Sequence, residues 1–182
     1  YGYGYVQGAD QAAKELGITD EVQVEYVCGG QFYGDADITA YMDTWFGSKG
    51  VEIVFACGGG IYTSAAEAAV KTGGKIIGVD LDQSATIDEY EDGLTVTSAM
   101  KGLQVTIDNV LSAIKGGTWD AYAGEMENLG LESANPEENY VQLPETTTQW
   151  DDNFTVDDYR DLVQRMYDGE LTVSGDTTSF PE

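Results

Sequence analysis

The chain alternates short apolar runs with segments of helical periodicity, and this alternation constrains its fold more than any other feature. Residues 22–27 alternate between apolar and polar positions, as a half-buried strand does. Residues 51–57, 75–80 and 94–97 predict three further strands. Strands that alternate with helices over short connections favour a parallel sheet covered on both faces. We therefore predict an α/β fold, specifically a three-layer α/β/α lobe with a mostly parallel sheet.

The helices of this lobe are predicted from apolar residues at helical spacing. The first helix ends at Gly17, the second covers residues 38–46 and the third covers residues 64–71. A long amphipathic helix is predicted over about residues 98–115. Its apolar side carries Leu103, Ile107, Val110, Leu111 and Ile114.

The pattern changes after Gly116, where residues 117–182 become an irregular and polar return segment. Short strand candidates lie at residues 122–124, 140–143 and 171–173. A terminal helix is predicted to begin after Thr155, whose hydroxyl can cap it. We interpret residues 1–182 as a single α/β domain whose core lies at about residues 18–116.

Composition excludes several classes of function. The 182 residues carry 8 Lys and Arg against 33 Asp and Glu, a formal net charge of -25. Such a field repels phosphate backbones and anionic lipid surfaces, so we expect no nucleic-acid partner and no direct binding to a membrane surface. The chain contains no His, which excludes a His-based triad and the usual structural zinc site.

Cys28 and Cys57 each follow an apolar run. We expect both to be small buried residues. A disulfide between them is the alternative, because neighbouring parallel strands could bring the two thiols close together. The chain opens on Tyr1 without a start methionine or a signal sequence, which suggests a fragment or a processed product.

In open α/β sheets, ligands bind at the carboxyl ends of the strands, so we searched those positions. The first strand leads to Phe32 and Tyr33, aromatic residues that can either stack on a flat ligand or plug the sheet edge. The second ends in three glycines at residues 58–60, which permit a close approach and precede a helix. These glycines lack the lysine of a P-loop and the third glycine of a dinucleotide fingerprint.

The third and fourth strand ends supply charged groups. Asp80 can accept hydrogen bonds from ligand hydroxyls, and the spacing to Asp82 does not predict an acid/base dyad. Lys101 is predicted in the first turn of a helix, where a cation opposes the helix dipole. Pairing with Asp80 or donation to a ligand would explain it, and an idle exposed lysine is the alternative. Because no nucleophile with a base and no metal-ligand cluster accompanies these groups, we expect a binding protein without cofactor or metal, not an enzyme.

Several of these segments resemble the basic membrane protein (BMP) family of PnrA-like lipoproteins. The resemblance is carried by residues 54–60, 76–84 and 97–101, and by residues 3–8, which are similar to the crossover helix of that family. The segment from Phe154 is similar to its terminal helix. Similarity therefore covers nearly the whole chain.

The resemblance implies half of a type I periplasmic-binding-protein fold, in which two lobes close on a nucleoside. This chain is similar to the C-terminal lobe, and the N-terminal lobe has no counterpart in it. The implied function is the substrate-binding component of an ABC importer for a purine nucleoside or a related nucleoside. The implied partner is the membrane permease, and the implied location is extracellular, as a cell-surface lipoprotein whose anchor is not in this chain.

The resemblance also implies roles for individual residues. Phe32 is similar to the aromatic residue that stacks on the base, and Gly59 lies in the glycine loop that faces the ligand. Asp80 and Lys101 are similar to the pair that binds the ribose hydroxyls. Residues 31–35, which contain both aromatic residues, depart from the usual family pattern. Tyr33 is therefore an alternative to Phe32 as the ring that stacks on the base. A sugar-binding or other small-solute-binding protein, a sensor domain and a nucleotide-dependent enzyme domain remain alternative functions.

Overall fold

The computed structural model describes residues 1–175 and shows a mixed α/β lobe. Its helices are α1 (Gly2–Leu16), α2 (Ala36–Thr44), α3 (Tyr62–Ala69), α4 (Ser84–Ile87), α5 (Leu103–Gly116) and α6 (Val156–Tyr167). Its strands are β1 (Ile53–Phe55), β2 (Lys75–Asp80), β3 (Thr95–Lys101) and β4 (Val141–Gln142). They form a sheet in the order β1-β2-β3-β4, in which the first three are parallel and β4 is antiparallel to β3. The predicted three-layer lobe with a mostly parallel sheet is confirmed.

One face of the sheet carries a packed hydrophobic core. Val54 of β1 and Ile76 of β2 face α2, α3 and α4, and Ile76 is fully buried. Helix α3 exposes little of its surface because four of its alanines lie in this core. Small side chains let a helix approach its neighbours closely, which explains its packing against both α2 and β2. The bulky members of the core come from the end of α2 and from the short π-helix Trp45–Lys49 that follows it, as Met42, Trp45 and Phe46.

Helices α1 and α5 bury far less. The Tyr5 ring of α1 lies against the Phe55 ring with centroids 5.1 Å apart, which places α1 opposite the packed face, since Phe55 alternates with Val54. In α5 only Ala113 is buried. The other apolar positions of this helix are largely exposed, including Leu103, Ile107, Leu111 and Ile114. None of the helices within residues 1–175 is both long and apolar enough to cross a membrane.

Residues 22–27 do not form the predicted strand. Their alternation is real, but Tyr26 is 63% exposed and Val22 is also exposed. A strand needs the backbone groups of a neighbour as well as a half-buried face. The structure gives this part of the chain only one bridge to the sheet region, which joins Tyr33 to Gly60 further along.

The predicted start of the long helix at residue 98 is also wrong. Residues Ser98 to Met100 pair with Gly78 to Asp80 and extend β3, and Lys101 pairs with β4. The helix begins only after Gly102, whose carbonyl accepts the backbone N–H of Thr106 at 3.0 Å. Lys101 therefore ends a strand and does not lie in the first turn of a helix.

The expected burial of both cysteines is contradicted, since Cys28 and Cys57 are free and exposed. Cys57 lies outside the sheet because β1 ends at Phe55, where the Cys57 N–H turns back to the Phe55 carbonyl at 2.9 Å. Cys28 belongs to a segment before Phe32 that forms no strand.

The return segment matches its prediction in part. Residues 140–143 contain β4, whereas residues 122–124 and 171–173 form no strand. Helix α6 begins as expected: Thr155 and Asp158 form a reciprocal capping box, in which each side chain binds the backbone N–H of the other residue.

Candidate functional site

The carboxyl ends of β1, β2 and β3 lie at one edge of the sheet, because the three strands are parallel. The glycine loop, which we define as Gly58 to Gly60, follows β1. Asp80 is the last residue of β2 and Lys101 the last residue of β3. The aromatic loop, residues 31–35, joins this edge through the parallel bridge between Tyr33 and Gly60.

Phe32 rests on the glycine loop through both its backbone and its ring. Its carbonyl accepts the Gly60 N–H at 2.8 Å. A Cβ atom added to Gly58 would lie only 3.2 Å from the Phe32 ring, so the absence of a side chain there lets the ring approach. The ring is nevertheless 77% exposed, and the Tyr33 ring is exposed as well. Both rings remain available to a ligand, and the Phe32 ring lies against Gly58 whereas Tyr33 meets Gly60 through its backbone.

The aromatic loop is anchored to the packed face of the lobe. Gly34 sits against α3, where an added Cβ would clash with the hydroxyl of Thr63 and lie 2.6 Å from that of Ser64. The Ser64 hydroxyl donates to the Asp35 carbonyl at 3.0 Å. The Asp35 carboxylate in turn caps α2 by accepting the Ile38 N–H at 2.8 Å. The exposed rings therefore stand on a backbone that is fixed at several points.

The glycine loop is tied to the end of β2 by a residue that the sequence analysis did not single out. The side-chain amide of Gln83 donates to the Gly59 carbonyl at 2.9 Å and accepts the Val79 N–H at 2.9 Å. Gly59 has a φ of +48°, a conformation that favours glycine. The sequence marks Gln83 only as a polar residue three positions after the end of β2.

Asp80 and Lys101 form the ion pair that the sequence offered as one explanation for the lysine. Their Oδ1 and Nζ atoms are 2.7 Å apart, and both side chains are partly exposed. The hydrogen bond to Asp80 raises the pKa of Lys101 above its ordinary value, against the smaller opposing effect of partial burial. The ammonium therefore stays charged at neutral pH and can donate to a ligand.

The backbone at Asp80 is strained. Its φ is +72°, and Asp80 is the only described residue other than glycine with a positive φ. The Leu81 N–H donates to the Val79 carbonyl at 2.9 Å, so Asp80 is the centre of a three-residue turn of the rarer γ type. Such strain costs on the order of 1–3 kcal/mol and is found most often at functional sites.

Cys57 lies within electrostatic range of this ion pair. Although Cys57 as a residue is exposed, partial burial of its sulfur is the main cause that raises the pKa of the thiol, and Asp80 adds to the rise. The chain's amino terminus and Lys101 act in the opposite direction but do not reverse it. A raised pKa disfavours the thiolate that nucleophilic cysteines use.

Asp82 is occupied by the local structure. Its carboxylate accepts the Ser84 N–H at 3.0 Å and the Thr147 hydroxyl at 2.7 Å. Partial burial acts to raise the pKa of Asp82, but these hydrogen bonds outweigh it and lower the pKa overall. Asp82 therefore holds the return segment against the sheet edge, whereas the Asp80 carboxylate faces Lys101.

The structure thus joins the four predicted site residues as two pairs: Phe32 with Gly59, and Asp80 with Lys101. Within residues 1–175, no cluster of three or more Cys, Asp or Glu residues is arranged to hold a metal ion. Comparison of the chain with protein-family models returns no match, and comparison with curated proteins returns none either.

Proposed function

We propose that this chain is the ligand-binding lobe of a substrate-binding component of an ABC importer, and that its ligand is a purine nucleoside or a related nucleoside. One observation carries the proposal. The exposed Phe32 ring stands on the glycine loop at the same sheet edge as the Asp80–Lys101 pair. A flat apolar surface beside a carboxylate and an ammonium suits a flat base attached to a hydroxylated sugar.

Each half of the site matches one half of such a ligand. An aromatic ring that stacks on a base contributes about 1–3 kcal/mol. The Asp80 carboxylate can accept hydrogen bonds from two ribose hydroxyls, and the Lys101 ammonium can donate to the same oxygens. Because the two charged groups already neutralise each other, an uncharged diol can bind beside the intact pair without leaving either charge unpaired.

The charge of the chain favours a nucleoside over a nucleotide. A formal net charge of -25 opposes the approach of a phosphorylated ligand. Two of the three amides of the glycine loop are also engaged, since the Gly58 N–H donates to the Ala56 carbonyl at 2.8 Å and the Gly60 N–H to the Phe32 carbonyl. A phosphate-binding loop needs free amides that converge on the anion. These observations weigh against the nucleotide-dependent enzyme domain.

A sugar or another small polar solute is the second candidate, and the Asp80–Lys101 pair favours it because that pair can bind hydroxyls without a base. Isothermal titration of the protein in its full native length with adenosine, guanosine, inosine and a sugar panel separates the two. We expect nucleosides to bind. Binding of sugars without nucleosides would overturn the proposed ligand, and no binding to either class would overturn the proposed function.

Matched variants then locate the contacts. Phe32→Ala is expected to weaken nucleoside binding by about 1–3 kcal/mol, and Asp80→Ala by a similar amount. Tyr33→Ala is the matched variant, because Tyr33 is the neighbouring aromatic residue of the same loop and is also exposed. If only Tyr33→Ala weakens binding, Tyr33 is the stacking ring. An unchanged affinity in Asp80→Ala removes Asp80 from the site.

A further inference from the structure

Gln83 connects the two halves of the candidate site through a single planar amide. One end of the amide donates to the Gly59 carbonyl, beneath Phe32, and the other accepts the N–H of Val79, the residue before Asp80. Both hydrogen bonds are 2.9 Å long. Gln83 therefore links the aromatic half to the charged half directly, in addition to the pairing of β1 with β2.

The Gln83 side chain is itself held in place. The backbone of Gln83 is fixed by two hydrogen bonds. Its backbone N–H donates to the Ser98 hydroxyl at 3.1 Å, and its backbone carbonyl accepts the Ile87 N–H of α4 at 2.9 Å. Gly78 of β2 provides the space that the amide occupies, because an added Cβ would lie 3.0 Å from the Gln83 Oε1 atom and 2.6 Å from the Ser98 hydroxyl. Three neighbouring strands and helices thus fix one amide in one orientation.

We infer that Gln83 is a positioning residue that holds the aromatic half and the charged half of the site in register, and so favours ligands that engage both halves at once. This inference deepens the proposed function and rests on it. The physical basis is preorganisation, since groups that are fixed before binding lose less freedom when the ligand arrives. Gln83 is not expected to touch the ligand.

The chemistry of the two hydrogen bonds makes the side chain specific. Glutamate at this position can accept the Val79 N–H but cannot donate to the Gly59 carbonyl, and it would set a carboxylate against that oxygen. Methionine has a similar length and can form neither bond. Gln83→Glu therefore breaks one link and Gln83→Met breaks both.

Gln149 offers a matched control. Its side-chain amide also joins two backbone groups, donating to the carbonyls of Gly93 at 2.8 Å and Thr95 at 2.7 Å. These carbonyls lie at the opposite end of β3 from Lys101. Gln149→Met thus removes a comparable pair of hydrogen bonds without reaching the candidate site.

The test combines titration of the full-length protein with amide hydrogen exchange. Adenosine engages both halves of the site, whereas adenine engages only the aromatic half. Gln83→Met is expected to weaken adenosine binding about tenfold, adenine binding by less than about threefold, and to accelerate exchange of the Val79 amide. Gln83→Glu should keep Val79 protected and also weaken adenosine binding, because its carboxylate cannot donate to the Gly59 carbonyl. Gln149→Met should leave both affinities and the Val79 amide unchanged.

The outcomes separate the inference from the proposed function. If the wild-type protein binds adenosine and Gln83→Met weakens adenosine and adenine equally, or neither, the positioning role is overturned and the proposed function stands. If the wild-type protein binds no nucleoside, both are overturned. If Gln83→Met does not fold, Gln83→Glu decides, and an adenosine affinity equal to that of wild type overturns the role.

Discussion

The two sides of the sheet are built from the same kind of amphipathic sequence but differ in how well they are covered. On the packed side, Ile76 and Ile87 are fully buried among α2, α3 and α4. Among the helices outside this core, α5 leaves Ile107 and Leu111 each 57% exposed. Apolar periodicity thus identifies the face of a helix that can be buried, but burial depends on whether another element lies against it.

This difference indicates that the packed side of the sheet contributes most of the stability of the described part of the chain. Hydrophobic stabilisation is roughly proportional to apolar area removed from water. The core of α2, α3, α4 and the first strands removes that area, and the aromatic loop is anchored to the same core through Gly34 and Ser64. We therefore expect substitutions on the two sides to have unequal effects, and the following predictions test that inequality.

The largest difference is expected between Ile76→Ala and Leu111→Ala. Truncation of a fully buried isoleucine should lower the free energy of unfolding by about 2–5 kcal/mol, because it leaves a cavity in the core. The same kind of truncation at the exposed Leu111 should change it by less than about 0.5 kcal/mol. Chemical denaturation of both variants measures the two values. Losses of equal size would show that α5 is covered as well as α3.

Gly34→Ala tests how firmly the site is attached to the packed side. The added methyl group would collide with the hydroxyls of Thr63 and Ser64, and the loop or α3 would have to move. We expect a loss of about 1–3 kcal/mol in unfolding free energy. We also expect changed amide chemical shifts at Phe32, which lies in this loop, and at Gly60, whose N–H donates to the Phe32 carbonyl. Unchanged stability and shifts would mean that the loop is loose.

Much of the fold could be predicted from the sequence. The runs that became β1 and β2 are apolar and end in turns, and the helix patterns that became α1, α2 and α3 carry clear stops such as Gly17, which is left-handed in the structure. Residues 22–27 failed because alternation describes a side-chain face and contains no information on a neighbouring backbone. The start of α5 failed because pairing with both β2 and β4 extended β3 through Lys101.

The candidate site was predicted from the ends of the strands. This prediction requires only that the strands run parallel, because their carboxyl ends then lie at one edge of the sheet. The pairing of Asp80 with Lys101 was predicted although the lysine was assigned to a helix. As the first turn of a helix or as the last residue of β3, Lys101 lies at the same edge of the sheet as Asp80. Gln83 was missed because its role depends on two backbone groups, Gly59 and Val79, that only the folded chain brings together. The exposure of Cys57 was missed for a related reason, since it follows from where β1 stops.

Gly8→Ala tests the less covered side in the opposite direction. Gly8 lies in the interior of α1, and no atom lies within 4 Å of the position that a Cβ would take. Alanine should therefore fit without a clash and raise the unfolding free energy by about 0.5–1 kcal/mol, because glycine is a poor helix former. Thermal denaturation measures the change. A loss of stability would indicate that α1 packs more closely than the structure shows.

The smallest expected change in stability, and the most informative for function, is at Asp80, the last residue of the strand that carries Ile76. Glycine adopts a φ of +72° without strain, whereas the exposed ion pair with Lys101 contributes less than about 1 kcal/mol. Asp80→Gly should therefore leave the protein as stable as wild type or slightly more stable, while it weakens nucleoside binding. Asp80→Asn keeps the strain and loses only the charge, so it should be slightly less stable than Asp80→Gly. If Asp80→Gly is the less stable of the two, the left-handed conformation of Asp80 does not destabilise the native protein. Backbone strain would then no longer support the placement of Asp80 in the site.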